Sequence, residues 1–174
     1  MEMMDGCKID VNGHISVIIN ADCIPKWMEV YKKYNLDGVA VSIFHDYKIQ
    51  NVDFFREYPE VKHISISEGI PDISGSNGLL ALRSAIISGK NRRIDFSFFP
   101  QLEVFNADWS PYFENLDKCI NLYSLSMHHY TPKSKDITGL SQLSWLSKLK
   151  INQSNISSFH GLEEFSQLEE LQFN

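Results

Sequence analysis

The residues with the clearest chemical capacity are six histidines: His14, His45, His63, His128, His129 and His160. A metal centre needs several His, Cys or carboxylate ligands at a spacing that brings them together. None of the six has a carboxylate or cysteine at ligand spacing, so surface histidines are expected, with no metal and no cofactor. Lys90-Asn91-Arg92-Arg93 is the one basic cluster, and its place between two apolar stretches makes it a solvated loop. No glycine-rich phosphate loop, no Gly-x-Ser-x-Gly elbow and no His-Glu-x-x-His motif occurs. Serine is abundant, but its spacing to His and Asp defines no catalytic arrangement. No catalysis is expected. Asn152-Gln-Ser and Asn155-Ile-Ser match glycosylation sequons, which matter only in a secreted chain.

Composition narrows the class further. The chain has 174 residues, 43% hydrophobic and 22% charged, with a net charge of −6. That is long enough for a substantial core and ordinary for a globular protein. An acid excess argues against nucleic-acid binding and favours a basic partner. The excess is uneven, because residues 101 to 174 hold nine acidic residues against five lysines and no arginine. Cys7, Cys23 and Cys119 are odd in number and far apart, which suits reduced, mostly buried thiols rather than a disulfide framework. MEMMDGCKID carries acidic charge and no apolar run, so no secretory leader is expected. No stretch approaches the ~20 apolar residues of a membrane span. The expected location is cytoplasmic.

The elements that position any surface come from an internal repeat. ITGLSQLSWLSKLKI, residues 137 to 151, lies over FHGLEEFSQLEELQF, residues 159 to 173, at a shift of 22 residues. Apolar positions coincide throughout, from Ile137 with Phe159 to Ile151 with Phe173, and Gly139 meets Gly161. The unit reads Leu-x-x-Leu-x-Leu, then a turn, then an apolar residue at every third position. Leu146, Leu149 and Ile151 open one copy, and Ile156, Phe159, Leu162 and Phe165 complete it. The same opening stands at Leu122, Leu125, Met127 and at Leu102, Phe105, Ala107. Weaker copies are Val61, Ile64, Ile66 and Leu36, Val39, Val41.

These residues resemble the leucine-rich repeat family, in the short class of about 22 residues found in bacterial internalin-like proteins. The resemblance covers residues 100 to 174 strongly and reaches back to Leu36. It departs from the family at the asparagine that closes each turn. That position is Ser154, Tyr130, Ser110, Gly69 and Phe44 in successive copies read backwards, with Asn155 one residue from it in the clearest copy. The implied fold is α/β: a right-handed leucine-rich-repeat solenoid, a short horseshoe with a parallel sheet on its concave face. The physics supports this. Leu-x-Leu puts both leucines on one side of a strand, and parallel stacking of copies buries what one copy cannot. The period-three run suits a 3₁₀ return on the convex side.

Flanking segments are expected to cap and interrupt this array. Ile9 and Val11, the turn Asn12-Gly13, and Ile15, Val17 and Ile19 read as a hairpin. Pro25 to Tyr34 reads as a helix with Asp22 as its cap. Residues 1 to 35 thus form an N-terminal hairpin and helix, and 36 to 174 the repeats. The interval of 41 residues between Val61 and Leu102 is expected to hold a helical insertion near 77 to 90, with LLALRSAIISGK as one helix ending at Gly89. The C-terminal strand, Leu168, Leu171 and Phe173, is left uncapped.

What remains is a surface. Residues between the inward leucines face the concave side: His63, Ser65, Asn106, Asp108, Ser126, His128, Lys148, Lys150, Asn152 and Glu170. His63 and His128 are expected at equivalent positions on it. Trp109 and Tyr130 in the adjacent loops are residue types that anchor interfaces. The expected function is non-catalytic protein recognition. Resemblance and charge together suggest a bacterial immunity protein that binds and neutralises a cognate toxin, with a basic toxin domain as the partner the charge favours. The alternative is a fragment of a larger leucine-rich-repeat effector or scaffold. A homodimer through the C-terminal edge is a further possibility.

Overall fold

The computed structural model describes residues 7–9 and 13–174, and the chain divides at Ser88/Gly89 into two compact units. In the first unit, β1 (Cys7–Ile9) runs antiparallel to β2 (Ile15–Ile19). Of the expected hairpin turn, Gly13 has φ +85°, and Asn12 lies outside the described residues. Helix α1 (Ile24–Lys33) follows, with Pro25 in its first turn and Met28 and Tyr31 buried. Its cap is not Asp22. The N-cap residue is Cys23, which makes no side-chain cap bond. Asn20 instead accepts from the Asp22 N–H and closes a single 3₁₀ turn ahead of the helix.

Three further strands, β3 (Gly38–Val41), β4 (His63–Ile66) and β5 (Ser84–Ile87), add parallel to β2 in chain order. Ser16, Gly38, His63 and Ser84 stand side by side at their starts. β5 corrects the expected helix. LLALRSAIISGK is another repeat, with Leu79, Leu82, Ala85 and Ile87 all buried. Two features hid it. Leu at three-residue spacing is shared by helices and by this repeat. Ser84 and Ala85 then stand where Val or Leu would mark a strand, although Ile86 and Ile87 are β-branched and favour one. Gly89, at φ +107°, serves the tight turn after the strand rather than a helix end. The long interval therefore contains a repeat and no insertion.

The second unit holds β6 (Ile94–Asp95), β7 (Val104–Asp108), β8 (Phe113–Glu114), β9 (Ser124–His128), β10 (Lys148–Asn152) and β11 (Glu170–Phe173). β7, β9, β10 and β11 form a parallel sheet in that order. β6 and β8 make a separate short parallel pair on the connections. The alternation is clean: Phe105, Ala107, Leu125, Met127, Leu149 and Ile151 are all buried, and the residues between them face outward.

The period-three pattern has a direct backbone meaning. Leu140, Leu143 and Leu146 each donate their N–H to the carbonyl three residues earlier, starting from Ile137. Leu162, Phe165 and Leu168 repeat this from Phe159, and Leu116, Cys119 and Leu122 form the same chain of bonds. In the first unit Val52, Phe55, Tyr58 and Val61 do likewise. A 3₁₀ turn eclipses side chains three apart, so one apolar residue per turn lines a single buried row. VDFFREYPEV and IDFSFFPQL both adopt it, over Asp53–Glu57 and Phe96–Phe98. Cys119 occupies the row with its thiol fully buried, directed at the carbonyls of Phe96 and Phe99. Burial, and then the nearby Asp117 charge, push its pKa up to about 12, which keeps it an inert packing residue. Cys23, in contrast, is exposed. Among the described residues no helix is long and apolar enough to cross a membrane.

Candidate functional site

The parallel register of the second unit converts four strands into a grid of outward side chains. One row across it is Asn106, Ser126, Lys150, Gln172. The row on the N-terminal side is Val104, Ser124, Lys148, Glu170. On the C-terminal side stand Asp108, His128 and Asn152, with Asn174 following β11. Neighbours within a row are about 4.8 Å apart by strand spacing. The open face is thus set by alternation alone, because each buried Leu or Ile fixes the direction of the residues beside it.

Most charge on this face is internally matched. Lys148 Nζ lies 3.2 Å from Glu170 Oε2. Asp108 accepts from the Gly89 N–H at 2.7 Å and holds His129 Nδ1 at 2.8 Å. Burial alone would raise the Asp108 pKa, but these two partners outweigh it and hold the carboxyl below its usual value. His129 reaches Asp108 from a left-handed backbone conformation, φ +55°, that Gln153 also adopts one repeat later.

A polar ladder does run through the strand ends, but not where the family asparagine is expected. Asn174 Nδ2 donates to Asn152 Oδ1 at 2.9 Å, and Asn152 Nδ2 lies 3.5 Å from His128 Nε2. Asn152 is 8% exposed. The turn position offered no such series, since Tyr130 fills it with a buried ring, Ser110 caps the Tyr112 N–H, and Asn155 is exposed.

Beside the ladder lies the second feature of this unit. Trp109 and Tyr130 pack edge to face with ring centroids 5.6 Å apart. Together with Phe113, Leu116, Met127 and Leu140 they line an open pocket of about 230 Å³. Ser110, Asn115 and Gln142 supply its polar groups. Tyr130 is 2% exposed. Burial, and then the Asp136 charge, raise its hydroxyl pKa to about 12, keeping it a neutral donor.

His63 and Ser65 belong to the first unit; the other ten predicted surface residues belong to the second. His63 opens β4 while His128 closes β9, so the two are not equivalent positions. Within the first unit the relevant neighbour of His63 is His14, whose ring stacks on it at 3.7 Å. Sequence spacing missed this pair because β3 lies between their strands. The signal was Gly38, where any Cβ would meet Ser16 Oγ at 2.8 Å and the His63 carbonyl at 2.6 Å. Among the described residues no group of three His, Cys, Asp or Glu is placed to hold a metal ion.

Strand, turn and stacked 3₁₀ rows together define a leucine-rich-repeat fold. No protein-family model and no curated protein matches the sequence. Solved structures do. Internalin C2 of Listeria monocytogenes aligns with a TM-score of 0.58 at 14% identity, covering 80% of this chain and 62% of that one. An internalin, inlF, of the same organism aligns with a TM-score of 0.56 at 18% identity, covering 80% of this chain and 41% of that one. The chain therefore has an α/β leucine-rich-repeat fold similar to that of the internalins. It spans less than two thirds of the length of either internalin.

Proposed function

We propose that this chain is a non-catalytic protein-recognition module that binds a partner on the open sheet face of its second unit. The observation that carries this reading is the grid from Asn106 to Gln172. Its outward row is polar and stands on a parallel sheet, and the loops that leave β7 and β9 carry Trp109 and Tyr130, which line a pocket of the same unit. Rigid elements lower the ordering cost of binding, and a pocket flanked by aromatic rings suits an anchor residue. Of the specific roles, we favour a bacterial cytoplasmic immunity protein that neutralises a cognate toxin. The overall acid excess suits steering of a basic partner.

A test is co-purification of the tagged chain from its own cell extract, comparing wild type, Asn106→Arg with Ser126→Arg, and Ile120→Glu. Ile120 is 70% exposed and lies off the sheet face. The expected result is one protein lost with the paired face variant and kept with Ile120→Glu. Loss with both, or with neither, overturns the face assignment. Co-expression then tests immunity: the chain should restore growth to cells that produce the captured protein. A captured protein that is harmless to cells removes the immunity role and favours the second reading, a piece of a larger effector or scaffold. That second reading rests on the partial coverage of both internalins.

A further inference from the structure

The protein is acidic overall, yet the charge left unmatched on the open face of its second unit is a cation. On the grid of the second unit, Glu170 is matched by Lys148 at 3.2 Å. Asp108 is matched by His129 and by the Gly89 N–H. The other acidic residues of this unit lie outside the central row: Asp95, Glu114, Asp117, Asp136, Glu163 and Glu164 sit on or beside the 3₁₀ turns and connections, and Glu103 and Glu169 directly precede β7 and β11. Lys150 is left. It occupies the middle of the central row and is half-buried, and no counter-ion approaches it among the described residues.

Its neighbours sharpen the point. Ser126 and Gln172 flank Lys150 on the adjacent strands, and Asn106 lies one strand further on. All three carry donors, and none carries a negative charge. The ammonium of a half-buried lysine whose row neighbours are all neutral has no charge partner there, and a carboxylate can accept from it and from several of these side-chain donors at once. We infer that Lys150 is the specificity-determining contact of this face, and that it receives an Asp or Glu side chain of a partner protein, with Ser126 and Gln172 completing the carboxylate's hydrogen bonds. The inference rests on the open-face reading above and adds the chemistry of the contact. Long-range steering by the acidic protein and a local carboxylate contact are compatible, because the field of the whole molecule governs encounter and the close pair governs register.

The experiment uses the full chain and a displayed library of random peptides, panned on wild type, Lys150→Gln, Lys150→Glu and Asn106→Arg. Melting curves of the four proteins establish that each is folded. The expected result on wild type is enrichment of peptides sharing one Asp or Glu. A synthetic copy of such a peptide should lose about tenfold in affinity on Lys150→Glu, less on Lys150→Gln, and its binding to wild type should weaken with salt. Lys150→Glu should in turn select Lys or Arg at the shared position. Peptides that are lost on Asn106→Arg but show no acidic preference, with Lys150→Glu unchanged, overturn this inference and leave the face as the binding surface. Peptides indifferent to both Asn106→Arg and Lys150→Glu overturn the face reading as well.

Discussion

Asp108 and His129 meet at 2.8 Å, which joins the last residue of one strand to the turn that follows the next. The same carboxylate accepts the Gly89 N–H, so it fixes two turns at once. Asp108 is therefore a structural tie before it is a binding residue. Its folded pKa is lowered from 3.8, and the sign follows from that. The carboxylate's stabilising contribution is fully present above the unfolded value and is lost as pH falls through about 4 toward the folded value. Asp108→Asn should lower the melting temperature at pH 7. It should also flatten the decline in stability between about pH 5 and pH 3 relative to wild type. Parallel pH curves for the two proteins would show that the tie is not formed.

Gly38 is required for a different reason. Its missing side chain leaves room between Ser16 and the His63 backbone, where a Cβ would come within 2.6 Å of the carbonyl oxygen. Backbone cannot swing aside as a flexible side chain does. Gly38→Ala should cost about 1–3 kcal/mol by overpacking and should disturb the His14–His63 stack over it. Chemical denaturation measures the first, and the imidazole proton resonances of both histidines report the second. A variant as stable as wild type, with both sets of resonances unmoved, refutes the close packing.

Leu146 and Leu149 test the repeat itself. Leu146 is 0% exposed at the end of a 3₁₀ row, and Leu149 is 1% exposed on β10. Replacing either by Ala should destabilise by about 2–5 kcal/mol. Ser144→Ala, on the intervening turn, should stay within about 0.5 kcal/mol as an ordinary surface change. Equal, small effects at all three positions would mean that these leucines do not line the core.

Legibility of this fold in the sequence tracked the size of the side chains. Where Leu, Phe or Met fills the inward positions, as at Leu125, Met127, Leu149 and Ile151, alternation reads directly as a strand. Where the inward or flanking positions carry small residues, as at Ser84 and Ala85, the same backbone has the sequence pattern of a helix. The outward rows around Lys150 followed from alternation. The partnerships on them did not, because Asp108 with His129 and Asn152 with Asn174 join side chains 21 and 22 residues apart. Those contacts depend on register and on the left-handed turn at His129, which no local propensity announces. Tyr130 was legible as an aromatic beside the face. Its burial was not, since the residues that line its pocket, among them Phe113, Leu116 and Leu140, come from several separate segments.

β11 carries partly exposed apolar side chains. Its Leu171 remains 39% exposed and Phe173 is half-buried, held by an edge-to-face contact with Phe159 at 4.9 Å, and Phe159 is itself 55% exposed. β10 pairs with one side of β11, and none of the described strands of this unit pairs with the other. Exposed apolar side chains at β11 favour contact with a second chain, and Glu169 and Glu170 place charge there that limits it. We propose homodimerisation through this edge, and it should appear as a concentration-dependent rise in mass by light scattering after size exclusion. Phe173→Glu should return the chain to monomer and cost little stability, since the ring it removes is only partly buried. If wild type is monomeric across the whole concentration range and Phe173→Glu leaves both mass and stability unchanged, the edge takes no second copy, and Glu169 and Glu170 are sufficient protection for it.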